Sequence, residues 1–371
     1  MNKKKTSNPV RLIAFFLVGV LLLCTFGFTV DGWQIKNEDD LPASLPEDKN
    51  PNLNDQDSTI PPDQLPEDEK TTVPEFTNPL TGLECSSESV NKIPMGFVLE
   101  GNEKYYGISN SEIVVEIPIE NGKTRYISFI YDTNNLWKIG AISPLRGYIG
   151  NVIKYFGGAA FFDGYDDRTT YDCCNLLGRV IDLSLKQEYG YTEQGELVYS
   201  NRDLVDLALS GSSINNDSNT DLVLPYSFSD FGSTIEPTEN VAKNIGIFYS
   251  DQNVTRFTYN VDTGMYEVKK NESAFSDALS GNSTGFKNCF ILFADSITYD
   301  TSDYSQMVMH TVGSGSGYYI TDGGFYEIKW SATTAGIMTF CSQSGEKLVI
   351  NRGTSYIAYV KSSMKNSVII T

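Results

Sequence analysis

Between residues 244 and 360 the chain breaks into ten short stretches that read as β-strands, and few architectures absorb so many. They cover 244–250, 254–260, 265–269, 289–297, 306–312, 317–321, 325–330, 336–342, 348–351 and 355–360. Turn signals such as Asp262-Thr263-Gly264, Asp322-Gly323 and Ser344-Gly345 separate them. Short strands at this spacing predict a small sandwich or barrel, mainly antiparallel.

The stretch before it mixes strands and helices. Residues 113–120 alternate, Asn121-Gly122 marks a tight turn, and 123–130 returns as the second strand of a hairpin. Ser143-Pro144 reads as the start of a helix that buries Leu145, Tyr148, Ile149, Val152 and Phe156 and closes at Gly157. A second helix is expected over 175–188. A third is expected after a capping box formed by Ser200 and Asp203. The polar piece 212–221 reads as a loop or a domain joint.

The amino-terminal end has a different character. Lys3, Lys4, Lys5 and Arg11 precede residues 12–30, an apolar run without a charge. As a helix, such a run spans ~28 Å, close to a hydrocarbon core of ~30 Å, so a retained transmembrane signal-anchor is expected. A cleaved signal peptide ends in small residues, whereas this run ends Gly27-Phe28-Thr29-Val30. Cys24 follows three leucines, a poor context for lipidation. Residues 31–76 then hold 13 acidic residues against three lysines, with prolines recurring. So few apolar groups do not offset the entropy of ordering this stretch, and it reads as an extended acidic stalk.

The expected class is therefore α+β. A basic cytoplasmic tail (1–11) and one transmembrane helix (12–30) lead into the disordered stalk (31–76). A mixed α/β domain (77–222) and a mainly antiparallel β domain (223–371) follow. The net charge of −19 divides into +4 before residue 31, −10 in the stalk and −13 beyond it. An acidic body without a basic patch argues against nucleic acid as a partner.

The residues exclude several chemistries. His310 is the single histidine, which rules out histidine-rich metal centres and leaves one candidate base without a nucleophile pattern beside it. Cys85, Cys173, Cys174, Cys289 and Cys341 lack paired spacing and read as buried thiols, with a strained Cys173–Cys174 bridge as the alternative. The stretch 313–319 is glycine-rich, but Tyr318 stands at the third Rossmann glycine position, so a bend between strands is the better reading. Acidic groups at Asp163, Asp166 and Asp167, and at Asp217, Asn219 and Asp221, invite calcium, but the latter lacks the loop glycine and has Phe228 at its twelfth position, which leaves calcium unsupported rather than excluded. No catalytic set, metal site or cofactor motif is read.

Several segments in order resemble a known family. They are 78–83 (Asn-Pro-Leu-Thr-Gly-Leu), 116–120, Thr124-Arg125-Tyr126, Lys138-Ile139-Gly140, Arg146 and Tyr148, 313–319, Trp330, and Asn351-Arg352-Gly353. Together they resemble the YerB-like family of bacterial envelope lipoproteins, which pairs two domains of unknown function. The resemblance implies a single-pass protein of the bacterial cell membrane with its bulk extracytoplasmic. There are departures: Cys24 sits in a poor context, Ser143 replaces an arginine, and 159–164 lacks the family's histidine.

Five residues stand out as ligand-binding candidates: Glu116, Glu120, Arg125, Ser143 and Arg146. With a two-residue turn, Glu116, Glu120, Lys123 and Arg125 share one sheet face. That register asks Pro118 for an N–H it lacks, so a bulge, a longer turn or an edge position is required. Four residues along one strand separate Glu116 and Glu120 by ~13 Å, beyond the ~5–9.5 Å of a glycosidase pair. Arg146, in the first turn of the Ser143 helix, is a candidate for an anion, or for a salt bridge to Glu116 or Glu120. The leading expectation is a non-catalytic binding or scaffolding protein whose partners are envelope or membrane proteins, or cell-wall polymer. The alternative is an extracytoplasmic hydrolase of a wall polymer.

Overall fold

The computed structural model describes residues 73–371 except 90–91, 102–103, 166–178, 194, 196, 213, 215–221, 238 and 301–304. The apolar run, its basic tail, nearly all of the stalk, Cys173, Cys174, Asp166, Asp167 and the group from Asp217 to Asp221 lie outside the described residues. No described helix is long and apolar enough to cross a membrane.

The described chain is mostly β-structure with few helices. Its first half holds β1 (Met95–Glu100), β2 (Ile113–Pro118), β3 (Thr124–Ile130), β4 (Ile139–Ile142), β5 (Ala159–Phe162), β6 (Val180–Asp182), β7 (Tyr191–Glu193) and β8 (Leu197–Ser200). Two α-helices accompany them, α1 (Gly147–Tyr155) and α2 (Arg202–Gly211). The second half adds β9 (Ser227–Phe228), β10 (Asn244–Ser250), β11 (Asn253–Asn260), β12 (Met265–Lys270), β13 (Ser273–Ala274), β14 (Gly285–Phe286), β15 (Asn288–Ala294) and β16 (Ser296–Asp300). It ends with β17 (Ser305–Met309), β18 (Gly313–Thr321), β19 (Gly324–Ala332), β20 (Met338–Cys341), β21 (Val349–Ile350), β22 (Ser355–Lys361) and β23 (Val368–Ile370).

Thirteen strands form one sheet in the order β20-β19-β18-β15-β22-β2-β3-β1-β4-β8-β7, with β5 beside β1 and β6 beside β5. The two halves of the chain meet inside it. β2 pairs in parallel with β22 from Ile113↔Ser355 to Glu116↔Ala358. A six-stranded sheet, β13-β12-β11-β10-β23 with β14 on β12, covers one face. The two sheets oppose one another as in a sandwich, but the larger one is shared with the first half.

Burial explains the residue patterns. β2, β3 and β15 are buried at every position because both faces of the large sheet are covered. β10 and β12 alternate because one side of the smaller sheet is wet. Between the sheets, Tyr356 meets Phe257 and Phe286 edge-on with ring centroids 5.0 and 5.1 Å apart. On the opposite face Val115, Ile127 and Ile357 pack with Ile149, Val152 and Ile153 of α1, and with Met307 and Met309 of β17.

Several expectations need correction. The β2–β3 hairpin pairs Pro118 with Thr124 and Ile117 with Arg125, one residue away from the two-residue register. A three-residue loop, Glu120–Gly122, with Asn121 at φ 58° and Gly122 at φ 69°, makes the turn. Ile119 N–H bonds the Lys123 carbonyl, so Pro118 is spared the donor position. The helix expected at Ser143 begins later, with Arg146 in the extended N-cap position. Ser143 is held in sheet-like pairing instead, its N–H on the Val98 carbonyl and its carbonyl accepting from the Asp163 N–H. The helix expected over 175–188 is replaced, in its described part, by β6 and a turn. α2 is capped by Asn201, whose side chain accepts from Leu204 N–H, rather than by Ser200.

Candidate functional site

The shifted register sends the five candidates to two faces. Glu116 lies opposite Tyr126, on the face toward the smaller sheet, while Arg125 points to the side of α1.

Glu116 has no solvent exposure. One carboxylate oxygen accepts from Thr124 Oγ1 at 2.8 Å and Tyr126 OH at 3.1 Å, and the other from Thr255 Oγ1 at 2.7 Å and Tyr356 OH at 2.8 Å. Lys270 Nζ completes the set as an ion pair. Burial pushes this carboxyl up most strongly, but the Lys270 charge and the converging donors outweigh it and hold it below the usual range. Its acceptor sites are filled by the protein. This is an internal tie between sheets, a poor general acid.

The other four candidates assemble on the opposite face. Arg146 makes a two-pronged pair with Glu120, Nη2 lying 2.8 Å from Oε2. Glu120 also accepts from the Met307 N–H at 2.7 Å, which ties the hairpin loop to β17. Burial raises the Glu120 carboxyl, and the Arg146 hydrogen bonds bring it below the normal range. Of the two salt-bridge partners weighed for Arg146, Glu120 is the one observed.

Arg125 is differently placed. Its Nη1 donates to the Pro144 carbonyl at 3.0 Å. Its Nε is buried without a hydrogen bond, 3.6 Å from a carboxylate oxygen of Glu100. Burial first, and the neighbouring Arg146 charge second, lower its proton affinity. Glu100 has a side chain 37 % exposed and accepts from Ser143 Oγ at 2.7 Å. Arg125, Ser143 and Glu100 thus form one end of the cluster, reached from solvent through Glu100, and Glu120 with Arg146 form the other.

Sequence reasoning did not single out Glu100 or Lys270. Glu100 ends β1, and only the register reveals it beside Arg125. It also missed a convergence of two segments quoted for the family resemblance. Arg352 donates to the Gly82 carbonyl and, through Nε, to the Ser229 carbonyl at 2.9 Å, with its guanidinium 3.5 Å above the Phe231 ring. Gly353 N–H bonds the Thr81 carbonyl. Beside them Asn78 donates to buried Glu112 at 3.0 Å, and the Tyr131 N–H does so at 2.9 Å.

Among the described residues, no group of His, Cys, Asp and Glu is arranged to hold a metal ion. His310 is exposed and follows β17. Cys85, Cys289 and Cys341 are free thiols, and burial pushes the Cys289 thiol well up. The glycine-rich stretch forms the start of β18, paired with β19.

Comparison with known proteins follows the same outline. Residues 245–357 match the family described as "Protein of unknown function (DUF3048) C-terminal domain". No curated protein matches the chain. The fold is similar to that of the YerB protein from Bacillus subtilis, with a TM-score of 0.68 at 17% identity over 80% of this chain and 100% of that one. The family match over residues 245–357 and the shared fold together support a YerB-like family.

Proposed function

We propose that the chain is a membrane-anchored extracytoplasmic envelope protein with a binding or scaffolding role near the cell wall. In this reading residues 12–30 form one transmembrane signal-anchor, the acidic stalk spaces the body from the bilayer, and Arg125 receives an anionic group of the partner. The partner is another envelope or membrane protein, or the wall polymer. One observation carries the proposal: Arg125 Nε is a buried donor without a hydrogen bond, facing a carboxylate that is more than one-third exposed. An incoming carboxylate or phosphate that displaces Glu100 gains Arg125 and the Ser143 hydroxyl together. The saturation of Glu116 and the closed Glu120–Arg146 pair count against a hydrolase built on these groups.

The test is capture of membrane and wall components by the full-length chain in detergent, comparing wild type with Arg125→Ala and Glu100→Gln. Weaker capture by the first and stronger capture by the second support the reading. Capture indifferent to both, or wall-polymer turnover abolished by Arg125→Ala, overturns it. Protease accessibility of the body in intact cells tests the orientation separately.

A further inference from the structure

A groove lies in the outer strands of the large sheet, at β19, five strands along from the β3 that carries Arg125. It has a volume of about 680 Å3 and is lined by Tyr326, Val349, Asn240, Gln343, Glu239 and Glu327, among others. That volume falls within the range usual for ligand sites.

Its floor is built from inside the protein. Phe290 of β15 and Tyr319 of β18 are register partners, as are Tyr319 and Tyr326 of β19. Their rings form a cross-strand ladder, with centroids 5.1 and then 6.4 Å apart and planes inclined by 24° and 17°. Phe290 and Tyr319 are fully buried, and Tyr319 OH is fixed on Asn288 Oδ1 at 2.9 Å. Tyr326, 38% exposed, ends the ladder. The pairing of β19 with β20 stops at Lys329, so no strand residue continues the row beyond Tyr326. The groove occupies that position.

The polar lining selects what can sit there. Glu239 and Glu327 are exposed carboxylates, Asn240 and Gln343 offer amides, and no lysine or arginine lines the groove. The nearest cation on the strand, Lys329, directs its ammonium to the Gln343 carbonyl at 3.0 Å. A phosphate-rich or carboxylate-rich ligand meets like charge here. A flat-faced ring bearing hydroxyls and ammonium groups meets a rigid aromatic surface, amide partners and the Glu239 carboxylate.

We infer that this groove is a glycan-binding site for a short saccharide carrying free amino groups, with one sugar ring laid on Tyr326. It is separate from the anion site proposed at Arg125 and does not depend on it.

Calorimetry on the full-length chain in detergent micelles tests the inference. The probes are a β-1,4-linked glucosamine tetrasaccharide, its N-acetylated counterpart and dextran sulfate. The amino tetrasaccharide is expected to bind best and dextran sulfate not at all. Tyr326→Ala should weaken binding about tenfold or more, while Tyr326→Phe retains it. Glu239→Gln should reduce the preference for the amino over the N-acetylated sugar. Thermal unfolding of each variant separates lost binding from lost fold. No binding of either sugar, equal binding by a folded Tyr326→Ala variant, or tighter binding of dextran sulfate overturns the inference. So does saturation of the groove by a basic peptide that the sugars fail to displace, since the occupant is then a protein.

Discussion

Lys270, at the end of β12, forms an ion pair with Glu116 in the middle of β2 and so joins the smaller sheet to the larger one. Removing one partner of a buried pair leaves the other charge uncompensated, at a cost of about 3–5 kcal/mol. Lys270 retains 12% side-chain exposure, which places Lys270→Met toward the lower end of that range. Urea unfolding should show this loss, and Glu116→Gln combined with Lys270→Met should recover part of it. The depressed Glu116 carboxyl also sets an acid limit. Its stabilising contribution is present above the unfolded carboxyl value and disappears as pH falls through the lower folded value. An acid-unfolding midpoint that moves upward in Lys270→Met would confirm the linkage, and an unmoved midpoint would refute it.

Glu112 has the opposite sign. Burial pushes its carboxyl from 4.5 to about 7, against the pull of the Tyr131 and Asn78 donors. The folded protein therefore keeps a proton that the unfolded chain releases, and stability falls as pH rises from about 4.5 to about 7. The full effect above that window is about 3 kcal/mol. Denaturant titrations at pH 5, 6, 7 and 8 should show this slope. Glu112→Gln should flatten it while lowering stability overall, because its amide NH2 confronts one of two N–H donors.

Arg352 links segments 270 residues apart through the Gly82 carbonyl, and its flat guanidinium covers Phe231. A lysine cannot reproduce the stacked, multi-pronged geometry. Arg352→Lys should therefore destabilise nearly as much as Arg352→Ala, by about 1–3 kcal/mol. Retention of wild-type stability by the lysine variant would show that charge alone suffices.

These cases also show where the sequence could be read and where it could not. β10, β12 and β19 declared themselves as short stretches set off by turn residues, and each has one wet side. The apolar face of α1 was legible too, and Gly157 at φ 64° ends it as expected. The hairpin register was not. One extra loop residue at Asn121-Gly122 moved Glu116 and Arg125 to opposite faces, and only the proline at 118 carried a warning. The pairing of Glu116 with Lys270 had no local signal, since it depends on which sheet covers which face. Gly82 and Arg352 lay within quoted segments, yet their meeting near the start of β22 required the parallel β2–β22 junction.

The glycines at the start of β18 give the last prediction. A Cβ added at Gly315 would lie 2.3 Å from the Phe293 carbonyl oxygen and 2.6 Å from Trp330 Nε1. Those two atoms share a buried hydrogen bond of 3.0 Å, so the strand has no room to yield without breaking it. Gly315→Ala should cost about 1–3 kcal/mol through overpacking, with the lost indole bond adding to it. Ser314→Ala and Ser316→Ala, at exposed positions flanking it, should cost less than about 0.5 kcal/mol. Trp330 is 2% exposed and provides the readout. Its emission should shift to the red in folded Gly315→Ala, and not in either serine variant. If Gly315→Ala keeps both the native emission and the native stability, the glycine serves some purpose other than making room for the indole.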